Sequence, residues 1–430
     1  MQRSLKIALA FVGILVGAGF ATGAEVIQYF ISFGAVGLLG AALAGVVMAV
    51  AGAIIVQLGS HFLADDHKVV FRSVAHPVVA RLLDVSVTVT LFAMGFVMLA
   101  GAGSTLHQQL GWPTWVGAAL MTVLVIVTGL LDVDRVSAII SWVTPLVIIA
   151  VVVGFVVALV QFPADPASIS ALAAQAPSPV SPWWLSALNY VGLALLMAVS
   201  MSLVIGGSHA NSKDALVGGI AGGVLYLVLL MMAAVLLYLE YPAISDADVP
   251  MLALFASLSD WMPWVMVFII YAMIYNTAIA MLYALGRRLS ADRPQRYRPV
   301  FIGVTLLAFA VSFAGFGSLM SVVYPLIGWV GMAMVAVLLG WWLRHRGEVA
   351  EEMRLRYRMR ALLGLKRHPD REFTPGHAAM LQEAAADSVA PGQALTGAID
   401  AEAIAALRAE DVLPETDGPA PPEAHGSTAR

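Results

Sequence analysis

The sequence predicts an all-α polytopic membrane protein with ten transmembrane helices. Hydrophobic residues make up 60% of the 430-residue chain and charged residues only 12%, against about a quarter in soluble domains. The mean hydropathy is +0.87. Apolar segments long enough to cross a bilayer recur along the chain, and Lys and Arg are confined to the N-terminus, alternate loops and the C-terminal segment. These observations exclude a soluble globular domain.

The ten predicted spans cover, to within a few residues at each end, 5–32, 36–60, 82–106, 114–131, 137–161, 184–206, 215–239, 261–286, 299–315 and 318–343. With the N-terminus inside, the inner loops hold Lys68, Arg72, Arg81, Arg135, Lys213, Arg287, Arg288, Arg293, Arg296 and Arg298. The outer loops contain no Lys or Arg. This distribution follows the positive-inside rule. It predicts a multi-pass protein of a bacterial-type inner (plasma) membrane with both termini cytoplasmic.

Span 1 is interrupted near its middle by the glycine-rich run 17–23 and then carries Glu25. About 18 Å of helix precedes the run and about 13 Å follows it, at 1.5 Å per residue, so the run falls near the bilayer centre. Glycine lowers helix propensity by about 1 kcal/mol relative to alanine, which favours local unwinding. Because non-helical backbone at that depth is tolerated where it lines a cavity, the run predicts a solute-binding site.

Two other interpretations of span 1 are weaker. A signal peptide also begins with basic residues and an apolar core, but its cleavage would leave nine spans and reverse the charge pattern of the loops. The spacing of Gly17, Gly19 and Gly23 resembles a dinucleotide-binding loop, which needs a preceding strand and a downstream acidic residue. The segment that follows, 36–60, is an uncharged apolar span, so the nucleotide interpretation fails.

The predicted unwinding exposes two poles of opposite charge. The half-helix that begins near Ala24 offers a positive dipole end to an anionic group. The carbonyls of Val16 and Gly17 end the inner half and suit a cation. A zwitterionic amino acid or a related small acid fits this pair of poles. The candidate solute contacts in span 1 are Ala18, Gly19, Phe20, Ala21, Thr22 and Gly23, although Phe20 is equally compatible with ordinary packing.

Spans 6 and 8 supply further candidates. The candidate solute contacts there are Asn189, Tyr190, Tyr271 and Tyr275. Asn276 and Thr277 of span 8 offer side-chain oxygens that can join the carbonyls of span 1 around a sodium ion. The alternative is that these two residues merely bond a neighbouring helix.

Glu25 is the acidic residue placed within span 1, and an ionisable group inside a span is a functional candidate. It is expected either to titrate as a coupling carboxylate or to stabilise the N-terminus of the outer half-helix. Span 5 contains no Lys, which disfavours a lysine-based proton mechanism. We therefore expect a sodium ion to accompany the solute, and no organic cofactor.

With the N-terminus inside, spans 1–5 and spans 6–10 have opposite orientations. Such inverted halves place a shared site at the midplane, so span 6 is also expected to be irregular near its centre. Residues 1–343 form the transmembrane domain, and residues 344–430 a cytoplasmic tail. The tail begins with a basic segment suited to anionic lipid headgroups, and its composition predicts disorder from about Pro369.

The Gly-Ala-Gly-Phe-Ala-Thr-Gly-Ala-Glu motif of residues 17–25, with ten spans, resembles the YkvI-type membrane proteins. The segment 248–252, Asp-Val-Pro-Met-Leu, is similar to one that precedes helix 8 in such proteins. The resemblance covers roughly 1–343. It implies the amino acid–polyamine–organocation superfamily and the LeuT fold, with a 5+5 inverted repeat, discontinuous helices 1 and 6 and an ion-coupled solute site between them. It also implies that Thr277 belongs to a sodium site.

These observations predict a secondary active transporter that moves a small organic solute, such as an amino acid, by alternating access and coupled to sodium. The alternative is a ligand-sensing receptor that keeps the fold and the site without transport. An enzyme is not predicted, because the spans carry neither a nucleophile–base arrangement nor a His-Glu-x-x-His cluster. The expected partners are the solute and the lipid bilayer, and not nucleic acid.

Overall fold

A computed structural model of the protein describes residues 2–131, 143–160, 166–390, 392–410 and 412. Within these ranges the chain is helical and contains no strand. The inner loop 132–136 with its Arg135, the ends of predicted span 5 (137–142 and 161) and the last residues of the tail (413–430) lie outside the described residues.

The helices follow one another as the apolar segments predict. In chain order they are α1 (Gln2–Leu15), α2 (Ala18–Thr22), α3 (Ala24–Tyr29), α4 (Ala35–Phe62), α5 (His67–Val74), α6 (Pro77–Leu110), α7 (Thr114–Gly129), α8 (Val143–Val160), α9 (Pro166–Ala173), α10 (Trp183–Gly207), α11 (Ser212–Leu239), α12 (Tyr241–Ile244), α13 (Pro250–Leu258), α14 (Met262–Leu289), α15 (Tyr297–Ser312), α16 (Phe316–Arg367), α17 (Pro375–Ala386) and α18 (Gly392–Ala409). Span 1 comprises α1 to α3. Spans 2 to 10 are α4, α6, α7, α8, α10, α11, α14, α15 and α16.

The length and composition of these helices confirm the multi-pass all-α prediction. Among the described residues, α4, α6, α10, α11, α14 and α16 are each long and apolar enough to cross a membrane. The helices α7 and α8 are shorter apolar helices, and span 1 is divided into pieces.

The packing of the spans follows the inverted repeat. In an inverted repeat, span 1 is equivalent to span 6, span 2 to span 7, and so on to spans 5 and 10. For most packed pairs of spans, the pair of equivalent spans is also packed. The contact between spans 1 and 7 is equivalent to the contact between spans 6 and 2. In the same way, the contact of spans 3 and 4 is equivalent to that of spans 8 and 9, the contact of spans 5 and 7 to that of spans 10 and 2, and the contact of spans 5 and 8 to that of spans 10 and 3. Four further contacts join equivalent spans directly: 1 with 6, 2 with 7, 3 with 8 and 4 with 9. The two halves therefore share most of their interfaces, as expected for an inverted repeat, and the contact between spans 6 and 10 is the main difference among the described residues.

The surface of the bundle has the character of a lipid-exposed surface. Large apolar side chains such as Leu39, Val89, Phe268 and Leu326 are exposed on the spans. Of the six exposed tryptophans among the described residues, Trp329 lies within span 10, and the other five lie in or beside predicted outer loops: Trp112, Trp115, Trp184, Trp261 and Trp264. Tryptophan concentrates at membrane–water interfaces. The bundle therefore has a tryptophan end and, opposite it, a basic end formed by the loops 61–81, 207–214 and 287–298.

Span 6 is continuous from Trp183 to Gly207, so the expectation of a break at its centre is wrong. Its central glycine, Gly192, serves close helix packing instead. A Cβ atom on Gly192 would lie 2.2 Å from the carbonyl oxygen of Gly328, and one on Gly331 would lie 1.9 Å from the carbonyl oxygen of Gly192. Spans 6 and 10 therefore meet backbone to backbone, as small residues allow in membrane helices.

The C-terminal segment is ordered over most of its length. Helix α16 continues past the expected boundary at 343 and has one non-helical residue, His345 (φ −109°, ψ 15°). Helices α17 and α18 follow, and α18 packs on α16 through a stripe of residues four apart: Leu395, Ile399 and Ala403. The expectation of disorder from Pro369 is corrected for 375–386 and 392–409, because the average composition of the tail does not reveal this helical spacing.

Arg356 fastens the C-terminal segment to the bundle. Its guanidinium is 3% exposed and donates hydrogen bonds to the carbonyl oxygens of Ser60 (2.7 Å), His61 (2.6 Å) and Ala210 (3.2 Å). Its Nε donates to Glu352 (2.6 Å). Ser60 and His61 end span 2, where the last carbonyls of a helix have no intrahelical partner. Arg356 therefore caps span 2 and joins it to the loop after span 6.

The crossing of spans 6 and 10 is testable with two glycines of the same helix. Replacing Gly331→Ala forces a Cβ atom into the backbone of Gly192, and we expect it to destabilise the protein by about 1–3 kcal/mol or more. Gly340→Ala is the control, since no atom lies within 4 Å of its added Cβ. The measurement is the midpoint of thermal unfolding in detergent. Equal midpoints for the two variants would contradict the crossing.

Candidate functional site

The break in span 1 has two parts with a helical turn between them. Helix α1 ends at Leu15, and Gly17 is extended (φ −99°, ψ −174°). The Ala21 N–H then donates to the Gly17 carbonyl (3.1 Å), and the Gly23 N–H to that of Phe20 (3.1 Å). The predicted interruption is present, but unwinding is confined to 16–17 and to Gly23 and does not extend over all of 17–23.

Gly23 has a backbone conformation that requires glycine. Its φ is +78°, in the left-handed region that L residues disfavour. A Cβ atom there would also lie 3.1 Å from the Cγ of Met251 and 3.2 Å from a Cδ of Leu237. The second half of the break is thus packed against Met251, which belongs to the 248–252 segment. The two sequence motifs that carry the family resemblance touch each other at this point.

A small enclosed cavity of about 30 Å³ lies beside the first half of the break. It is lined by residues of spans 1, 3, 6 and 8: Ile14, Leu15, Gly17, Ala18, Gly19, Glu25, Met94, Met98, Tyr190, Leu193, Ala194, Met197 and Thr277. A cavity of this size holds about one water molecule or ion. An amino acid does not fit without movement of the surrounding helices.

Glu25 brings its carboxylate back over the break. A Cβ atom on Gly19 would lie 1.5 Å from the Glu25 Oε1, so Gly19 leaves the space that the carboxylate occupies. Glu25 is 7% exposed, and it takes part in no ion pair among the described residues. The hydroxyl of Tyr324 in span 10 lies beside it, buried and without a hydrogen bond of good geometry.

Thr277 ties span 8 to the break. Its hydroxyl oxygen accepts a hydrogen bond from the Ala18 N–H at 3.3 Å, which satisfies one of the backbone donors that the break exposes. Gly17 lies next to it, with 4.0 Å between an added Cβ and the Thr277 Oγ1. The structure therefore brings Gly17 and Thr277 of the predicted ion site together, with Val16 adjacent in the chain. Asn276 is not among the cavity residues.

Several candidates of span 1 serve packing or local structure. Ala18 and Gly19 line the cavity, whereas Phe20, Ala21, Thr22 and Gly23 do not. The ring of Phe20 packs against that of Tyr226, with centroids 6.0 Å apart. The Thr22 hydroxyl donates to the Gly19 carbonyl (2.8 Å) and accepts from the Ala24 N–H (3.4 Å). Its bonds therefore hold the turn between α2 and α3.

The candidates of span 6 differ in their surroundings. Tyr190 lines the cavity, and its hydroxyl shares a 2.5 Å hydrogen bond with that of Tyr226. Asn189 is fully buried and bridges three spans: its Oδ1 accepts from the Tyr29 hydroxyl (3.2 Å), and its Nδ2 donates to the Pro325 carbonyl (3.1 Å). Both the oxygen and the nitrogen of the Asn189 side chain therefore have partners within the protein, so this residue joins spans rather than lining the cavity.

The two tyrosines of span 8 lie away from the cavity. The Tyr271 hydroxyl donates to the Gly117 carbonyl of span 4 (2.9 Å). Tyr275 is partly buried against the core and is not a cavity residue. Tyr271 is therefore turned toward span 4 rather than toward the break.

Sequence reasoning missed the apolar part of the cavity wall. Met94 and Met98 of span 3 and Met197 of span 6 line it, and methionine is a flexible side chain that adapts to irregular spaces. Nothing in the pattern of a continuously apolar span marks which methionine faces inward. Tyr324, one residue before Pro325, did carry a signal, since a polar aromatic group in the middle of a span needs a partner.

Two relatives from Bacillus subtilis match this chain over most of their length. Identity to the uncharacterized membrane protein YkvI is 26% over 335 residues, which covers 78% of this chain and 94% of YkvI. Identity to the protein YyaD is 25% over 339 residues, covering 79% and 96%. No protein-family model matches the chain. The resemblance to YkvI-type proteins is confirmed, and about a fifth of the chain lies outside it.

Two solved structures of Mhp1 share the fold. The closed conformation with bromovinylhydantoin bound, described as a nucleobase-cation-symport-1 family transporter, has a TM-score of 0.58 and covers 96% of this chain and 94% of Mhp1. The inward-facing conformation has a TM-score of 0.55, with 96% and 95% covered. Sequence identity is 12% in both. The likeness concerns the fold, and it confirms the LeuT-type arrangement of spans.

The tyrosine pair beside the cavity yields a stability prediction. Tyr190→Phe leaves the buried Tyr226 hydroxyl without its partner, and such a loss is expected to destabilise the protein by about 1–3 kcal/mol. Tyr275→Phe removes the same atom from a partly exposed residue and is the control. The measurement is the thermal unfolding midpoint in the absence of solute. A Tyr190→Phe midpoint no lower than the control would contradict the pairing.

Proposed function

We propose that the protein is a secondary active transporter that moves a small organic solute by alternating access and couples its movement to a cation. The observation that carries the proposal is the buried Glu25 carboxylate, which has no ion-pair partner among the described residues and lines a cavity at the break of span 1 together with Thr277 and Gly17. A buried charge in a membrane helix is unfavourable unless it has a function or a partner. A cation is the partner that these groups favour.

Sodium is the proposed coupling ion. A carboxylate, a hydroxyl with one lone pair left after accepting from Ala18, and the carbonyls at the end of α1 are oxygen donors of the kind that hold sodium at broken helices. The volume of about 30 Å³ suits an ion and not an organic solute. The rival assignment is a proton carried by Glu25 itself, with the Tyr324 hydroxyl as its neighbour.

The solute is proposed to be an amino acid or a related small acid, bound between spans 1 and 6 after these helices separate. The fold shared with Mhp1, whose description names a cation-symport family, supports cation coupling. Membership of the amino acid–polyamine–organocation superfamily is part of the proposal. So is the orientation, with the basic end and both termini cytoplasmic, in the inner membrane of a bacterial cell.

A second candidate function is a ligand-sensing receptor. The observation that favours it is the ordered C-terminal segment. Arg356 joins this segment to the end of span 2 and to the loop after span 6, so the segment can respond to movement of the bundle. The two functions differ in whether solute crosses the membrane.

Purified protein in liposomes separates these functions. A thermal-shift screen of amino acids with and without sodium first identifies a solute, since a bound ligand raises the unfolding midpoint. Uptake of that solute is then measured with an imposed inward sodium gradient and with none. Gradient-driven accumulation supports transport. Binding without flux under sodium and proton gradients would assign the protein to the sensing class.

Thr277 tests the sodium site. Thr277→Val keeps the shape of the side chain and removes the hydroxyl, and we expect it to weaken sodium-dependent solute binding about tenfold, which corresponds to about 1.4 kcal/mol. Thr277→Ser retains the hydroxyl and is expected to preserve the sodium dependence. The measurement is a sodium titration of solute binding to each variant. An unchanged titration for Thr277→Val removes this residue from the site.

Glu25 tests the coupling itself. Glu25→Gln keeps the shape and removes the charge, so accumulation driven by a cation gradient should be lost while exchange of labelled for unlabelled solute continues. Glu25→Asp retains the charge and should retain part of the accumulation. Sodium and proton are then distinguished by which imposed gradient drives the unmodified protein. Full accumulation by Glu25→Gln would show that coupling does not use this carboxylate.

A further inference from the structure

A second cavity, of about 600 Å³, lies at the basic end of the bundle. Its volume falls within the range of about 300–1,000 Å³ found for ligand sites. It is open on one side and has three walls: residues 353, 354, 356–358 and 360 of α16, residues 210–214 at the start of α11, and residues Ile399 and Glu402 of α18. The C-terminal segment supplies two of these walls.

Three exposed cations of this cavity have no partner among the described residues. Lys213, Arg354 and Arg358 line it, and their side chains make no ion pair or hydrogen bond with any other described residue. Arg354 and Arg358 are four residues apart on one helical face, where like charges destabilise a helix. Lys213 lies in the first turn of α11, where the helix dipole disfavours a cation. An anion in the cavity would relieve all three unfavourable positions.

The two acidic residues of the wall have partners of their own. The Asp214 carboxylate accepts a hydrogen bond from the Asn211 Nδ2 (2.9 Å). Glu402 pairs with Arg3 (3.2 Å) and with Arg360 of the wall (3.9 Å), and it accepts from the Ala210 N–H (2.9 Å). These carboxylates therefore hold the N-terminus of span 1 and the loop before span 7, and the positive charge of the cavity remains.

A buried hydroxyl provides an independent sign of a ligand. Ser212 lines the cavity and is 1% exposed, and its Oγ has no hydrogen-bond partner among the described residues. Buried hydroxyls in native structures almost always have a partner. The first N–H groups of α11 are already capped by the Asn211 side chain, so side chains, rather than the helix terminus, form the site.

We propose that this cavity binds a phosphate group carried by an anionic ligand. Guanidinium, ammonium and hydroxyl groups are the donors that phosphate oxygens accept. The ligand is the headgroup of an anionic lipid or a soluble organophosphate, and both present the same phosphate chemistry. A phosphate here bridges α16 and α11 and so holds the C-terminal segment on the bundle. This site is separate from the cavity at Glu25, and it does not depend on the proposed transport.

The test compares purified full-length protein in nanodiscs of phosphatidylcholine with and without phosphatidylglycerol, and in phosphatidylcholine discs with added glycerol phosphate. The readout is the thermal unfolding midpoint. The variants are Arg354→Gln with Arg358→Gln, and separately Ser212→Ala. The control is Arg346→Gln with Arg371→Gln, which removes the same charge from exposed residues outside the cavity.

We expect the anion to raise the midpoint of the unmodified protein and of the control. The apparent affinity should fall about tenfold or more in the double cavity variant, as for loss of charge-assisted hydrogen bonds, and should fall measurably in Ser212→Ala. A response to phosphatidylglycerol identifies a lipid ligand, and a response to glycerol phosphate a soluble one. No response to either anion would overturn the proposal, as would equal responses of the cavity variant and the control.

Discussion

A helix break at the centre of a bilayer leaves backbone N–H and C=O groups that lipid cannot satisfy, and this constraint organises the interior of the protein. The Ala18 N–H is satisfied by the Thr277 hydroxyl, and the Glu25 carboxylate lies over Gly19. The first contact requires span 8 at a fixed distance from the break, and the second places a side chain of span 1 over its own break. The break in span 1 therefore positions span 8, and the requirement for glycine at 19 and 23 follows from the same geometry.

The tyrosines around the break extend this constraint outward. Tyr29, Tyr190 and Tyr226 form a buried layer joined by ring contacts and hydroxyl bonds, while Tyr324 keeps an unpaired hydroxyl beside Glu25. A fully bonded layer is rigid, whereas an unpaired donor next to a carboxylate is able to exchange partners. The polar residues around the break thus form two groups. The tyrosine layer has a structural role, whereas Tyr324 and Glu25 are free to change partners, and the coupling ion is proposed to bind at Glu25.

The C-terminal segment is joined to the transmembrane bundle at two points. Arg356 satisfies the end of span 2, and Glu402 holds Arg3 at the start of span 1. The inner half of span 1 is thereby linked to the same segment that lines the basic cavity. A ligand in that cavity would therefore be linked to the inner half of span 1 through Glu402 and Arg3.

Hydropathy and charge distribution predicted the number of spans and the inverted halves, because lipid imposes length and polarity on each segment independently of its neighbours. The glycine run predicted the interruption of span 1, because glycine has a low helix propensity. Tertiary structure decided which polar residues face the break. Tyr271 satisfies the helical spacing and yet bonds Gly117 of span 4, and Asn189 bridges spans 1 and 10. It also decided that Gly192 packs against span 10 instead of opening span 6, and that a stripe of residues four apart orders α18. These outcomes depend on the rotation of each helix about its axis, which is set by the surfaces it meets and not by its own sequence.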